Sequence, residues 1–144
     1  MLKNLDPLLG PELIYTLSRM GHGDEIAVVD ANFPAEANAR RLVRLDGVSA
    51  TDVLEAIVSV LPIDTYVDDP VNTMAVVGDP EAVPDITHAF RAIIRRHASG
   101  PVPMRALERD AFYARSREAF AIVATGECRL YGNVILTKGV VESV

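Results

Sequence analysis

Two periods run through the apolar positions of the chain. From Pro11 to Met20 the spacing predicts a helix, with Leu13, Leu17 and Met20 on one face and Ile14 beside them. Pro11 suits a first helical turn, where its missing N–H would have no partner, and Gly21 reads as the stop. Glu25 to Asp30 is nearly continuously apolar, as expected of a strand buried on both faces. Arg40–Leu45 reads as a short second strand. Ser49 and Asp52 form a helix-start pattern, and the helix carries Val53, Leu54, Ile57, Val60 and Leu61 on its apolar stripe until Pro62 stops it. A polar loop, Asp64–Asn72, leads to an apolar strand over Thr73–Val77.

Pro84–Ala98 is the clearest amphipathic helix. Ile86, Phe90, Ile93, Ile94 and His97 fall on one side, and Arg91, Arg95 and Arg96 on the other. A short strand over Val102–Leu107 and a helix over Glu108–Glu118 follow. Ala119–Ala124 and Leu130–Thr137 read as strands joined by a Thr125-Gly126-Glu127 turn, so a C-terminal antiparallel hairpin is expected. Elsewhere strands and helices alternate, which implies parallel crossovers. The expected fold is α/β, with helices packed on a mixed, mainly parallel sheet. No repeat or boundary divides residues 1–144, so a single domain is expected.

Composition narrows the function classes. A net charge of −6 disfavours a general nucleic-acid binder, which needs a basic face. Cys128 is the one cysteine, so no intramolecular disulfide is possible, which suits a reducing cytoplasm. The N-terminal residues, with Lys3, Asp6 and Pro7, lack the apolar core of a signal peptide. No apolar run approaches the ~20 residues of a membrane span. A cytoplasmic protein with neither nucleic-acid nor membrane partner is expected.

The chemistry concentrates at Met20-Gly21-His22-Gly23-Asp24-Glu25. Flanking glycines display His22 on a tight turn, and an imidazole exchanges protons near neutral pH. Phosphate-binding glycine loops run from strand into helix, whereas this one runs from helix into strand. Asp24 and Glu25 point to opposite faces if extended, and no second histidine stands at a ligand spacing, so no metal site is expected. No G-x-S-x-G nucleophile turn occurs. Asp30 sits at the C-terminal end of its strand, where ligands of open α/β sheets gather. Arg109 and Tyr113 lie four apart on one helix face. Tyr131 and Asn133 flank Gly132 and would share one face of a strand. Each of these also has an ordinary structural use: a loop histidine, a strand-ending aspartate, a surface pair.

Five segments taken together, M-G-H-G-D-E (20–25), D-A-N-F-P (30–34), E-R-D-A-F-Y (108–113), T-G-E (125–127) and Y-G-N-V-I-L-T-K-G (131–139), resemble the RbsD/FucU family of sugar anomer-interconverting enzymes. The R-x-A-F-Y stretch and Tyr-Gly-Asn are closer to the L-fucose mutarotase branch than to the D-ribose pyranase branch. The resemblance implies a three-layer α/β/α sandwich and a ring-like homo-oligomer, typically a decamer, with sites at subunit contacts. It makes His22 the general acid. It makes Asp30, Arg109, Tyr113, Tyr131, Gly132 and Asn133 monosaccharide-binding positions. It implies no cofactor and no metal. Residues 64–102 match none of its motifs. The implied reaction opens a cyclic hemiacetal by acid/base catalysis and recloses it on the other face, which needs neither redox step nor metal.

Overall fold

The computed structural model describes residues 1–143; Val144, the last residue of the expected unit, lies outside them. The elements in order are α1 (Pro11–Arg19), β1 (Glu25–Val29), α2 (Ala35–Asn38), β2 (Leu42–Leu45), α3 (Ala50–Val58), β3 (Val71–Met74), α4 (Asp85–His97), β4 (Met104–Leu107), α5 (Arg109–Glu118), β5 (Ala121–Thr125) and β6 (Val134–Thr137). Six strands form one sheet in the order β2-β5-β1-β6-β3-β4. β1 runs parallel to β5, β5 to β2 and β3 to β4, while β6 is antiparallel to both its neighbours, β1 and β3. The sheet is therefore mixed and mainly parallel, with one reversed strand.

Helices cover both faces, as the sandwich requires. Ile26 and Val28 of β1 face Leu13, Leu17, Leu54, Ile57, Phe90 and Ile94 from α1, α3 and α4. Ala27 and Val29 face the other way, toward Phe33, Ala35 and Phe112 beside α2 and α5. The four side chains from Ile26 to Val29 are fully buried, so the continuous apolar run reports a central strand with both neighbours in place. Ser49 caps α3 by accepting from the Asp52 amide at 3.2 Å, as its sequence pattern predicts.

The expected C-terminal hairpin does not form. β5 and β6 are both neighbours of β1 and do not pair with each other. A link of residues 126–133 steps over β1, a displacement of two strand spacings, roughly 10 Å. Such a link is long enough for either outcome. β1 takes the place between β5 and β6, with Ile26–Val29 buried on both faces. Two smaller expectations also change. α1 ends at Arg19 with Met20 extended, and the left-handed glycine of the turn is Gly23 (φ 89°), not Gly21. Tyr131 lies in a turn at φ 62°, outside β6, so Tyr131 and Asn133 do not share a strand face.

The crossover link requires glycine at its start. A Cβ on Gly126 would lie 2.1 Å from the Asp46 carbonyl oxygen. Gly126→Ala is expected to destabilise the fold by about 2 kcal/mol or more, because backbone and not a flexible side chain must move. Urea unfolding of the two proteins measures this, and equal midpoints would contradict it.

Candidate functional site

Two ends of the sheet gather polar side chains, and they share β1. At its N-terminal end the His22 turn is tied to the residue after β6. The Gly23 amide donates to the Lys138 carbonyl at 2.9 Å, and the Lys138 amide donates to the Asp24 carbonyl at 2.8 Å. The segment after α3 docks on the same strand end, where the Asp64 amide donates to the Thr137 carbonyl at 2.9 Å. Gly139 makes this docking possible, since a Cβ there would lie 2.8 Å from both Asp64 Cα and the Ile63 carbonyl oxygen. The result brings together residues 42 apart in sequence. His22 Nε2 lies 2.8 Å from Asp64 Oδ1, with the imidazole half exposed and the Asp64 side chain 1% exposed. In the imidazolium form Nε2–H donates to the carboxylate, and Nδ1–H remains for another acceptor.

Asp64 was not legible as a partner of His22. It lies in the expected polar loop, and nothing in the spacing ties it to the Gly-His-Gly turn. Burial pushes its carboxyl up, but hydrogen bonds from the His22 ring and the Tyr66 and Val67 amides outweigh that and hold it below its ordinary 3.8. Asp24 and Glu25, by contrast, are structural. Asp24 Oδ2 accepts from the Gly21 amide at 2.7 Å. Glu25 takes a bidentate pair from Arg115, which also reaches Asp69 at 2.8 Å.

At the C-terminal end of β1, Asp30 and Asn133 hold each other. The Asp30 amide donates to Asn133 Oδ1 at 2.8 Å, and Asn133 Nδ2 donates to Asp30 Oδ2 at 3.1 Å. Asp30 Oδ1 accepts from the Asn32 amide at 3.0 Å. Burial raises the Asp30 carboxyl above its ordinary 3.8, against the lowering effect of Asn32, Asn133, Phe33 and Gly132. Gly132 is a packing requirement: its Cβ would meet Glu127 Cγ at 2.8 Å and Ile86 Cδ1 at 2.9 Å. Glu127 itself is buried, accepts from the Ala50 amide at 3.0 Å and pairs with Arg129. The T-G-E and Y-G-N segments therefore pack on each other.

The remaining residues expected at the site cluster at this end. Phe33 meets Tyr113 edge-on at 5.1 Å, and the Arg109 guanidinium lies 5.9 Å from the Tyr113 ring. The Tyr131 hydroxyl accepts from the Val77 amide at 3.1 Å, which ties its left-handed turn to the loop after β3. That loop (75–78) and the start of α5 (Glu108–Asp110) border a cleft of about 340 Å³, within the range of small-molecule sites. Met74, unforeseen in the sequence, presents its sulfur 4.0 Å from Asn133 Nδ2. One expected site residue is absent from this group. His22 lies beyond the other end of β1, whose five residues alone span roughly 16 Å.

No group of three or more His, Cys, Asp and Glu side chains is arranged to hold a metal among the described residues. No helix among them is long and apolar enough to cross a membrane. Cys128 is exposed and unpaired.

This fold, with polar clusters at both ends of a central strand, defines a class. Residues 3–141 match the model of the RbsD / FucU transport protein family, and the chain belongs to that family. Among solved structures, the chain resembles the fucose mutarotase of Streptococcus pneumoniae in complex with L-fucose at 43% identity and a TM-score of 0.92, covering 98% of this chain and 100% of that one. It resembles FucU from Bifidobacterium longum at 40% identity and a TM-score of 0.89, covering 97% and 100%. Bacillus subtilis RbsD complexed with D-ribose shares the fold, at 20% identity and a TM-score of 0.74, covering 99% and 100%.

The Asp64 geometry sets a pH dependence. A carboxyl held below 3.8 in the fold adds stability that is complete above that value and is lost as pH falls through the lower folded value. Asp64→Asn is expected to be less stable than wild type near neutral pH, with the gap closing below about pH 3.8. Urea unfolding across an acid pH series measures the gap, and a gap of constant size would contradict it.

Proposed function

We propose that this chain is a mutarotase that interconverts the α and β anomers of L-fucose. The observation that carries the reading is the 43% identity, over both full lengths, to a fucose mutarotase with L-fucose bound. The chemistry of the two polar clusters agrees with it. The sugar's hydroxyls are held by Asp30, Asn133, Tyr131 and Arg109, side chains that between them offer acceptors and donors. Tyr113 lines the same cluster, and Gly132 lets Tyr131 and Asn133 approach it. His22 gives a proton to the ring oxygen as the C1–O5 bond breaks, while a basic group or water takes the proton from the anomeric hydroxyl. The open aldehyde rotates about C1–C2, and the same steps in reverse close the ring on its other face. Asp64 orients the imidazole through its 2.8 Å contact with Nε2. No cofactor takes part.

His22 and Asp30 stand at opposite ends of one strand, so a single pyranose cannot touch both in one chain. A second copy therefore supplies the His22 end of the site, and the working unit is a homo-oligomer. A decameric ring, as in the family resemblance, satisfies this arrangement. A cytoplasmic location suits the single free thiol.

Magnetisation exchange between fucose anomers, followed by NMR, tests the activity. Wild type is expected to exchange L-fucose faster than buffer and faster than it exchanges D-ribose. His22→Ala is expected to lose about 10²–10⁴-fold in kcat, whereas Asp30→Asn and Arg109→Ala mainly raise KM. Absence of exchange above buffer for either sugar, with binding retained, would make the chain a sugar-binding protein and not an enzyme. The shared site has its own test. Mixing unfolded His22→Ala and Asp30→Ala chains and refolding them together restores part of the activity if each site draws on two copies. Mixtures no more active than their parents would place the site within one chain.

A further inference from the structure

Tyr66 is unusual among the exposed residues. It is 72% exposed, yet its ring centroid lies 5.2 Å from that of His22, with the planes at 58°. Lone exposed apolar residues are ordinary; an exposed aromatic resting on the imidazole of the candidate acid is not. Its position is also held from both sides. Asp64 Oδ1 takes His22 Nε2 at 2.8 Å, and Oδ2 takes the Val67 amide at 3.2 Å, with the Tyr66 amide also donating to this carboxylate. One buried carboxylate thus sets both the imidazole and the backbone that carries the tyrosine. No hydrogen bond of the Tyr66 hydroxyl exists among the described residues, so what the fold presents beside His22 is mainly a ring face.

Sugar chemistry supplies the occupant for that face. A 6-deoxy pyranose of galacto configuration carries its axial O4 on one side. The C3, C4 and C5 hydrogens on the other side form a continuous apolar patch. An aromatic ring offers such a patch a large rigid surface at low entropic cost. His22 must approach the ring oxygen of the same sugar, next to C5, and Tyr66 travels with His22 whichever copy they come from.

We propose that Tyr66 is a substrate-contacting residue, its ring stacking on the C3–C5 hydrogen face of the pyranose while His22 beside it serves the ring oxygen. This rests on the mutarotase reading above. The contact is uniform binding: it holds the sugar and leaves the proton transfers to other groups, so it acts on KM and not on kcat.

NMR exchange kinetics with L-fucose, on wild type, Tyr66→Phe and Tyr66→Ala, test it. Tyr66→Phe is expected to stay within about twofold of wild type. Tyr66→Ala is expected to raise KM about tenfold with kcat within about threefold. Saturation-transfer NMR with L-fucose is expected to mark H3, H4 and H5 most strongly in wild type and Tyr66→Phe, and to lose that pattern in Tyr66→Ala. A Tyr66→Ala protein with unchanged KM would refute the contact. Equal losses in Tyr66→Phe and Tyr66→Ala would place the function in the hydroxyl and overturn the stacking role. A Tyr66→Ala protein whose kcat falls well beyond threefold, or that no longer assembles by size exclusion, would make Tyr66 a positioning or interface residue instead. Wild type without exchange removes the mutarotase reading and this one together; wild type with exchange and an unaffected Tyr66→Ala removes this one alone.

Discussion

The reciprocal pair between Asn133 and Asp30 is the interaction on which the rest of the structure turns. Asn133 accepts from the Asp30 amide and donates to its carboxylate, and both side chains are buried. At that depth an unpaired amide or carboxylate costs about 1–3 kcal/mol, so the two residues hold each other strongly. Asn133 precedes β6, and Asp30 follows β1. Their pairing fastens the start of the one reversed strand to the end of the central one. It also fixes where the crossover link must land, and with it the packing of Gly132 on Glu127 and the turn of Tyr131.

From that anchor the geometry of both polar clusters follows. The reversal of β6 brings its last residues to the N-terminal end of β1. There Lys138 holds the His22 turn and Thr137 holds Asp64. The first end of β6 therefore builds the Asp30 cluster and the second builds the His22–Asp64 pair. A single strand organises two polar clusters and keeps them apart by its own length. Chemistry that needs both halves has to draw on two copies of the chain.

The electrostatics of the two halves also differ. Asp64 is buried but well supplied with donors, which hold its carboxyl below the ordinary value. Asp30 is buried with donors that only partly offset the loss of water, so its carboxyl is the more basic of the two. One carboxylate is paired with an imidazole within its own chain. The other accepts from the Asn133 side chain and the Asn32 amide. Environment, not residue type, separates the two roles.

Much of this was legible in the chain itself. The helices over Pro11–Arg19, Ala50–Val58, Asp85–His97 and Arg109–Glu118 follow from apolar spacing and end signals. β1 follows from an apolar run that only a central strand tolerates. His22, Asp30 and Asn133 stood out because glycines and strand ends display functional groups locally. The family was legible from motifs spread in order over most of the length. Two things were not. The neighbours of β5 and β6 depend on which strand wins the central place, and that is settled by burial across the whole sheet. Asp64 and Tyr66 join His22 only because Gly139 lets a distant loop dock on the end of β6. The separation of His22 from Asp30 was legible, because the two stand at opposite ends of one apolar run. Local spacing carries propensities and displayed groups, whereas contacts between segments 40 or more residues apart are set by packing, which no single stretch of sequence contains.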